Sequence, residues 1–477
     1  MSFNSFPYLL VFLPIVFCVI ELSRRLQVPR LPQACLLLAS LIFYSYGRIS
    51  FLPYLLGSVL VNWIIGRWIG RSTGVMKKKA LQVGLCLNIA YLSVFKYVNF
   101  FLGIIPRFAH FKVLIPDLPF PLGISFFTLT QIMYLVDCYE ELIHPNSLFD
   151  HATFVTFFPY VVSGPMSRAK RILHQFPGLN GSKGPSAEQL ARATFLFSMG
   201  LAKKVILADV FSNVADFGYS NINRLSGIES WSIAICYSLQ IYFDFSGYSD
   251  MAIASALFLG IEIPRNFDSP LRSTSMIEFW QRWHITLSSF ITTYLYTPIL
   301  RCFDRATLGT AAVATLLAMT IAGLWHGPSW TFVIFGIIHG VGLVINQYWR
   351  KKKLPRFPRL ISWCLTMAVI CTAFVFFRSP DIHTAISLLG HMFGGTNVFG
   401  HSSFKIMNGE GHRLMVAIYL LAEISGVLIV FFSRSSDQLQ RGFTPNWKNA
   451  VATATLLLLS MLYLNSNVAR PFVYFAF

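Results

Sequence analysis

Between residues 237 and 339 the chain sets groups that can move protons inside long apolar runs. His326 stands in "AMTIAGLWHGPSWTFVIFG", His284 in "IEFWQRWHITLSSFITTYLYTPI", and Asp244 and Asp250 in "YSLQIYFDFSGYSDMAIASALFLGI". A neutral imidazole in hydrocarbon needs hydrogen-bond partners, and an isolated charge there costs several kcal/mol. His326 is flanked by Gly323, Gly327 and Pro328, which are expected to open a helix and free backbone groups, and by Trp325 and Trp330, expected to wall the site against water. An imidazole titrates near neutrality, so His326 suits general acid–base work; the alternative, a satisfied core histidine, stands beside it. His284 shares a helical face with Trp280 and Ser288, which reads equally as an interfacial anchor. Asp244 and Asp250 are six residues apart, about 120° around a helix, so they do not form a dyad. Asp244 instead shares a face with Gly247 and Tyr248, as a buried structural carboxylate or a chemical one. His339 is about 220° from His326 on a continued helix and reads as structural.

These residues must be held by membrane helices. The 477-residue chain is 55% hydrophobic and 12% charged, against roughly 25% charged in soluble domains, with mean hydropathy +0.58. Apolar runs recur from end to end, and runs 118–136, 190–210 and 276–300 are interrupted or amphipathic, which predicts about ten to twelve crossings in a single integral domain, 1–477. Residues 118–168 carry Pro and Gly at apolar positions, so irregular backbone is expected at membrane depth, lining protein or a cavity.

The net charge of +18 does not indicate nucleic acid, because the basic residues sit in short loops beside apolar runs. Arg67, Arg71 and Lys77–Lys79, then Arg350–Lys353, then Arg434, Arg441 and Lys448 are expected on the cytoplasmic side. Counting outward places both termini outside, and the first apolar run reads as a retained helix. Polar connectors are expected at 177–189, 214–229, 349–359 and 394–413. The eight cysteines lack Cys-x-x-Cys spacing, so neither a disulfide framework nor a metal site is expected. Hydrolase-elbow, zincin and P-loop patterns are missing from the sequence.

The ordered blocks "QIYFDFSGYSDMAIASALFLGIEIPRNFDSP", "EFWQRWHITLS", "YLYTPI", "GLWHGPSWTFVIFGIIHG" and "FVFFRS" resemble the membrane-bound O-acyltransferase (MBOAT) family, in its bacterial branch of alginate and peptidoglycan O-acetyltransferases and the teichoic-acid D-alanyl transfer protein. "PLGISFFTLTQIMYLVDCY", "FFPYVVSGPMSR" and the tail "FVYFAF" resemble the same branch. The resemblance implies an all-α polytopic fold with re-entrant or amphipathic helices around a central funnel. It implies that His326 is catalytic and His284 the second characteristic histidine, with Asp244, Asp250, Trp325 and Asn266 in support. Thr292 and Thr293 stand where relatives carry Arg-Asp, and Arg265 stands where Glu is frequent.

The implied reaction takes an acyl group, acetyl in the first instance, from a cytoplasmic thioester such as acetyl-CoA to an exported polysaccharide. No permanently bound cofactor is implied. Arg168, Lys170 and Arg171 could meet the donor's phosphates or anionic lipid. The chain carries no soluble transferase domain, so an extracytoplasmic partner enzyme is expected, in a bacterial inner membrane. A proton-coupled transporter using Asp244, Asp250 and the histidines, and a non-catalytic scaffold, are the readings from other classes.

Overall fold

The computed structural model describes residues 1–109, 120–181, 183–394, 410–466, 470 and 472–476, with the side chains of 104–109, 410–419, 475 and 476 outside the description. Most of the connector expected at 394–413 therefore lies outside the described residues. Among the described residues the secondary structure is helical throughout. Seven helices among the described residues are long and apolar enough to cross a membrane: Pro7–Arg25, Ile49–Arg71, Gly74–Gly103, Leu308–His326, Trp330–Lys351, Arg359–Arg378 and Trp447–Ser466. Leu31–Ser45 and Ile382–Phe393 are shorter apolar helices, and Glu410–Phe432 is a further helix of 23 residues. The sequence reading expected ten to twelve crossings. Run 30–47 becomes the 15-residue helix Leu31–Ser45, run 118–136 the buried 16-residue helix Ile124–Tyr139, and run 276–300 a series of short helices.

The chain divides into two compact units. Unit one comprises Met1–Ser198, Tyr248–Arg265 and Phe443–Thr455. Its helix Ile124–Tyr139 is almost wholly buried and packs on Leu52–Arg71 and Gly74–Leu92. Two glycines permit this: a Cβ at Gly66 would lie 2.6 Å from the Tyr134 ring, and one at Gly84 would lie 2.6 Å from Leu135. The expected irregular stretch is real. Residues 157–167 form no regular helix and are buried, so protein satisfies this non-helical backbone as hydrocarbon cannot. Gly123 initiates the preceding helix at φ 72°, a conformation that favours glycine.

Unit two comprises Met199–Gly247, Asn266–Gly442 and Leu456–Phe477. Its site-bearing helices are α1 (Asp209–Ser220), α2 (Gly227–Leu257, of which 227–247 belong to this unit), α3 (Met276–Arg282), α4 (Ile285–Phe290), α5 (Leu308–His326), α6 (Trp330–Lys351) and α7 (Arg359–Arg378). Side-chain caps set several starts: Ser275 accepts from the Glu278 amide, Thr307 from Thr310, and Ser329 from Thr331. Helices α5 and α6 form an antiparallel hairpin whose backbones meet at Gly323 and Gly336; a Cβ on Gly323 would fall 2.8 Å from Gly336 Cα. Gly323 thus serves close packing inside an unbroken helix and does not open it, contrary to the sequence reading.

Candidate active site

The run that was expected to place His284 on one helical face breaks at residues 283–284. α3 ends at Arg282, α4 starts at Ile285, and His284 caps α4 in the left-handed region at φ 42°, ψ 54°. The shared face with Trp280 and Ser288 therefore does not exist. Asn266 holds the strained turn. Its carbonyl oxygen on the backbone accepts from Ile285 N at 2.9 Å, while its side-chain Oδ1 accepts from Thr286 N at 3.2 Å and Thr286 Oγ1 at 2.9 Å. The same Oδ1 lies 3.1 Å from His284 Nδ1. An oxygen already accepting from a backbone amide is an acceptor here too, so Nδ1 carries the proton and Nε2 presents its lone pair. That Nε2 is buried without a hydrogen-bond partner among the described residues. Asn266 is thus the orienting residue for a neutral imidazole whose basic nitrogen is unused. Replacing Asn266 with Ala is expected to lower kcat about 10- to 100-fold, the scale at which orienting partners of metal-bound imidazoles act, with the His284 ring tautomer changed in ¹⁵N NMR spectra.

His326 ends α5, with Gly327 continuing in extended backbone at φ −170°. The ring is 5% exposed and is enclosed by aromatics: Trp325 at 5.0 Å between centroids, Phe377 at 5.2 Å, Phe335 at 5.6 Å and Tyr474 at 5.6 Å. Trp330, 52% exposed, faces outward and does not wall the ring.

The two histidines belong to one aromatic cluster. Phe245 packs on His284 at 4.7 Å and on Tyr474 at 4.6 Å, and Tyr474 packs on His326. His339 lies nearby through Phe335, at 4.5 Å, and its Nδ1 accepts from Trp280 Nε1 at 3.2 Å.

Asp244 is 1% exposed and forms an ion pair with Lys204 Nζ at 2.9 Å; Lys204 also reaches Asp209 at 3.3 Å. The other Asp244 oxygen accepts from Val473 N at 2.8 Å, next to Tyr474. Gly247 lets this part of α2 approach the backbone of Gly200, whose oxygen would be 2.6 Å from a Cβ. The chain's end is clasped a second time: Arg470 donates to Asp216 at 2.5 Å, to Asn213 at 2.6 Å and to Ser212, while Arg378 at the end of α7 donates to Asp216 at 2.8 Å. Burial opposes ionisation of Asp216, but hydrogen bonds from Arg378 and Arg470 outweigh it and hold the carboxyl below its ordinary value.

Asp250 is buried and belongs to unit one. Arg168, Lys170 and Arg171 also belong to unit one, on the short helix Ala169–Leu173 that Arg168 caps, with Lys170 and Arg171 exposed. Among the described residues no group of three or more His, Cys, Asp or Glu side chains is placed to hold a metal ion. Lys204, Asp209 and Tyr474 were missed as site residues. Lys204 carried a legible signal, a lysine within the apolar run 190–210.

The described structure is a bundle of apolar helices with two buried histidines on one aromatic cluster, and the chain belongs to the membrane-bound O-acyltransferase family, whose model matches residues 64–379. It is an O-acyltransferase. It is 32% identical to the peptidoglycan O-acetyltransferase of Helicobacter pylori, over all of this chain and 97% of that protein. It is equally 32% identical to the probable alginate O-acetylase AlgI of Pseudomonas putida, over the full length of both. A teichoic acid D-alanyltransferase of Streptococcus thermophilus is 30% identical over 49% of this chain and 58% of its own length.

Proposed function

We propose that this chain moves an acetyl group from acetyl-CoA, entering from the cytoplasm, toward the hydroxyls of an exported cell-surface polysaccharide such as alginate, in a bacterial inner membrane. The observation that carries this reading is the pair of imidazoles on one aromatic cluster, one of them oriented by Asn266 with a free basic nitrogen. The full-length similarity to proteins named for O-acetylation supports the acetyl group.

In the reaction, the acceptor oxygen attacks the thioester carbonyl carbon as His326 takes the hydroxyl proton. The C–S bond then breaks, and the proton passes to the departing thiolate. His284 Nε2 accepts a hydrogen bond that orients the acceptor or a water beside it.

The reading puts only the phosphate-bearing end of the donor at a cavity of about 350 Å³ lined by Trp280, Gln281, Thr292, Gln347 and Arg350. Arg350 begins the basic run ending at Lys353, which the charge count places on the cytoplasmic side, where a CoA phosphate meets cations. Arg470, which the same count assigns to the opposite side, lies beside Arg378 at the end of α7, with both donating to Asp216. A separate extracytoplasmic enzyme completes delivery to the polymer.

Purified chain supplied with acetyl-CoA and a hydroxyl acceptor is expected to release free thiol in step with acetyl ester formation. Proton-coupled solute uptake into proteoliposomes with no thiol release would overturn the reading in favour of a transporter.

A further inference from the structure

His339 is fully buried on α6, and the mechanism above gives it no part. Its Nδ1 takes a hydrogen bond from the indole Nε1–H of Trp280 at 3.2 Å. An indole nitrogen only donates, so Nδ1 is the acceptor and the neutral ring carries its proton on Nε2. Three rings surround the imidazole at that bond: Phe279 stacks on it at 5.9 Å with 11° between planes, Trp280 meets it edge-on at 5.2 Å, and Phe335 does so at 4.5 Å. The imidazole is thereby fixed, and through Nδ1 it fixes the Trp280 indole in turn.

That position matters because of what lies on either side of it. Trp280 lines the cavity of about 350 Å³ assigned to the donor's phosphate-bearing end. Leu343, Gln347 and Arg350 line it as well, and they stand four, eight and eleven residues beyond His339 on the same face of α6. One turn the other way on that face is Phe335, whose ring meets His339 at 4.5 Å and His326 at 5.6 Å. From Arg350 to Phe335 this face rises about 22 Å, at 1.5 Å per residue. A single helical wheel separates the two histidines, but the break after His326 folds α6 back along α5 and brings both against Phe335. His339 thus stands between the residues that line the cavity and the aromatic enclosure of His326, and it holds a tryptophan of the cavity wall.

We propose that His339 is a positioning residue for the acyl donor: by holding the Trp280 indole it shapes the wall against which the donor binds. The proposal rests on the acyl-transfer reading and deepens it by giving donor binding a residue that touches neither the donor nor the reacting atoms. Loss of the Nδ1 acceptor leaves a buried indole N–H unpaired, and the ring turns to find another partner. The cavity wall then changes, while Asn266 still holds His284.

The test is steady-state thiol release by the full chain in detergent, with acetyl-CoA varied at fixed acceptor, together with the Kd of CoA for each variant. His339→Phe keeps a ring and removes the acceptor. It is expected to raise KM for acetyl-CoA and Kd for CoA about three- to tenfold, the effect of one neutral hydrogen bond, with kcat kept. His339→Asn places its side-chain oxygen where Nδ1 stood and is expected to restore both values. Trp280→Phe is expected to show the same rise, and adding His339→Phe to it is expected to change nothing more, because the two residues act as one unit. Unchanged KM and Kd in His339→Phe overturn the proposal, as do a rise that His339→Asn does not reverse, phenylalanine effects that simply add, or a fall in kcat with KM unchanged. If gel filtration shows that His339→Phe does not fold, Trp280→Phe with and without His339→Phe carries the same comparison, since no indole N–H is left unpaired there. A wild-type chain that releases no thiol overturns the acyl-transfer reading itself; thiol release with a KM indifferent to residue 339 overturns this role alone.

Discussion

Replacing His326 with Ala is expected to lower kcat for acceptor-dependent thiol release from acetyl-CoA by about 10²–10⁴-fold, the range for loss of a general base. The imidazole ends a 19-residue apolar helix, is 5% exposed and is held by four aromatic rings, so a neutral ring is fixed where water is scarce. The substitution removes a side chain at a helix end, while the Gly323–Gly336 contact that fixes the α5–α6 hairpin remains. Fluorescence-detected gel filtration and Tm therefore separate chemistry from folding. A folded His326→Ala protein that releases thiol at the wild-type rate with acceptor present would show that another group takes the proton.

Asp244→Ala is expected to give the largest loss of stability, about 3–5 kcal/mol, because truncating one partner of a buried ion pair leaves the other charge uncompensated. Both side chains are at most 3% exposed, so solvent screening offers little relief. The residual contact of Lys204 with Asp209, at 3.3 Å, puts the expected value at the lower end of that range. The substitution also frees the Val473 amide, which Asp244 holds at 2.8 Å, and so loosens the segment carrying Tyr474. Activity is expected to fall along with stability. Asp244→Asn keeps an acceptor for Val473 and is expected to restore part of the activity at reduced stability. The combined replacement Lys204→Met, Asp209→Asn and Asp244→Leu is expected to recover stability without activity, since it removes all three charges of the cluster but not the need for the tail clasp. Equal loss of activity and stability in all three variants would mean that Asp244 acts through folding alone. Detergent-solubilised Tm and thiol-release kcat measured together decide this.

Much of this was legible in the residues. Apolar runs with basic loops define a polytopic helical protein, because a chain so poor in charge has no other solvent for its surface. The blocks around His284 and His326 carried the family, and the irregular stretch before Arg168 followed from Pro and Gly at apolar positions. Helical wheels misplaced His284, since a wheel assumes an unbroken helix and the chain turns through a left-handed residue there.

By itself the sequence determined the membrane helices, the family and the two histidines, because these depend on local composition and on motifs a few residues long. Tertiary structure decided which groups meet. Asn266 locks a ring eighteen residues away, Asp244 grips an amide 229 residues later, and Tyr474 closes on His326. Partner choice at that range is set by how packed helices bring distant backbone and side chains into hydrogen-bonding reach, and no spacing within a single helix encodes it.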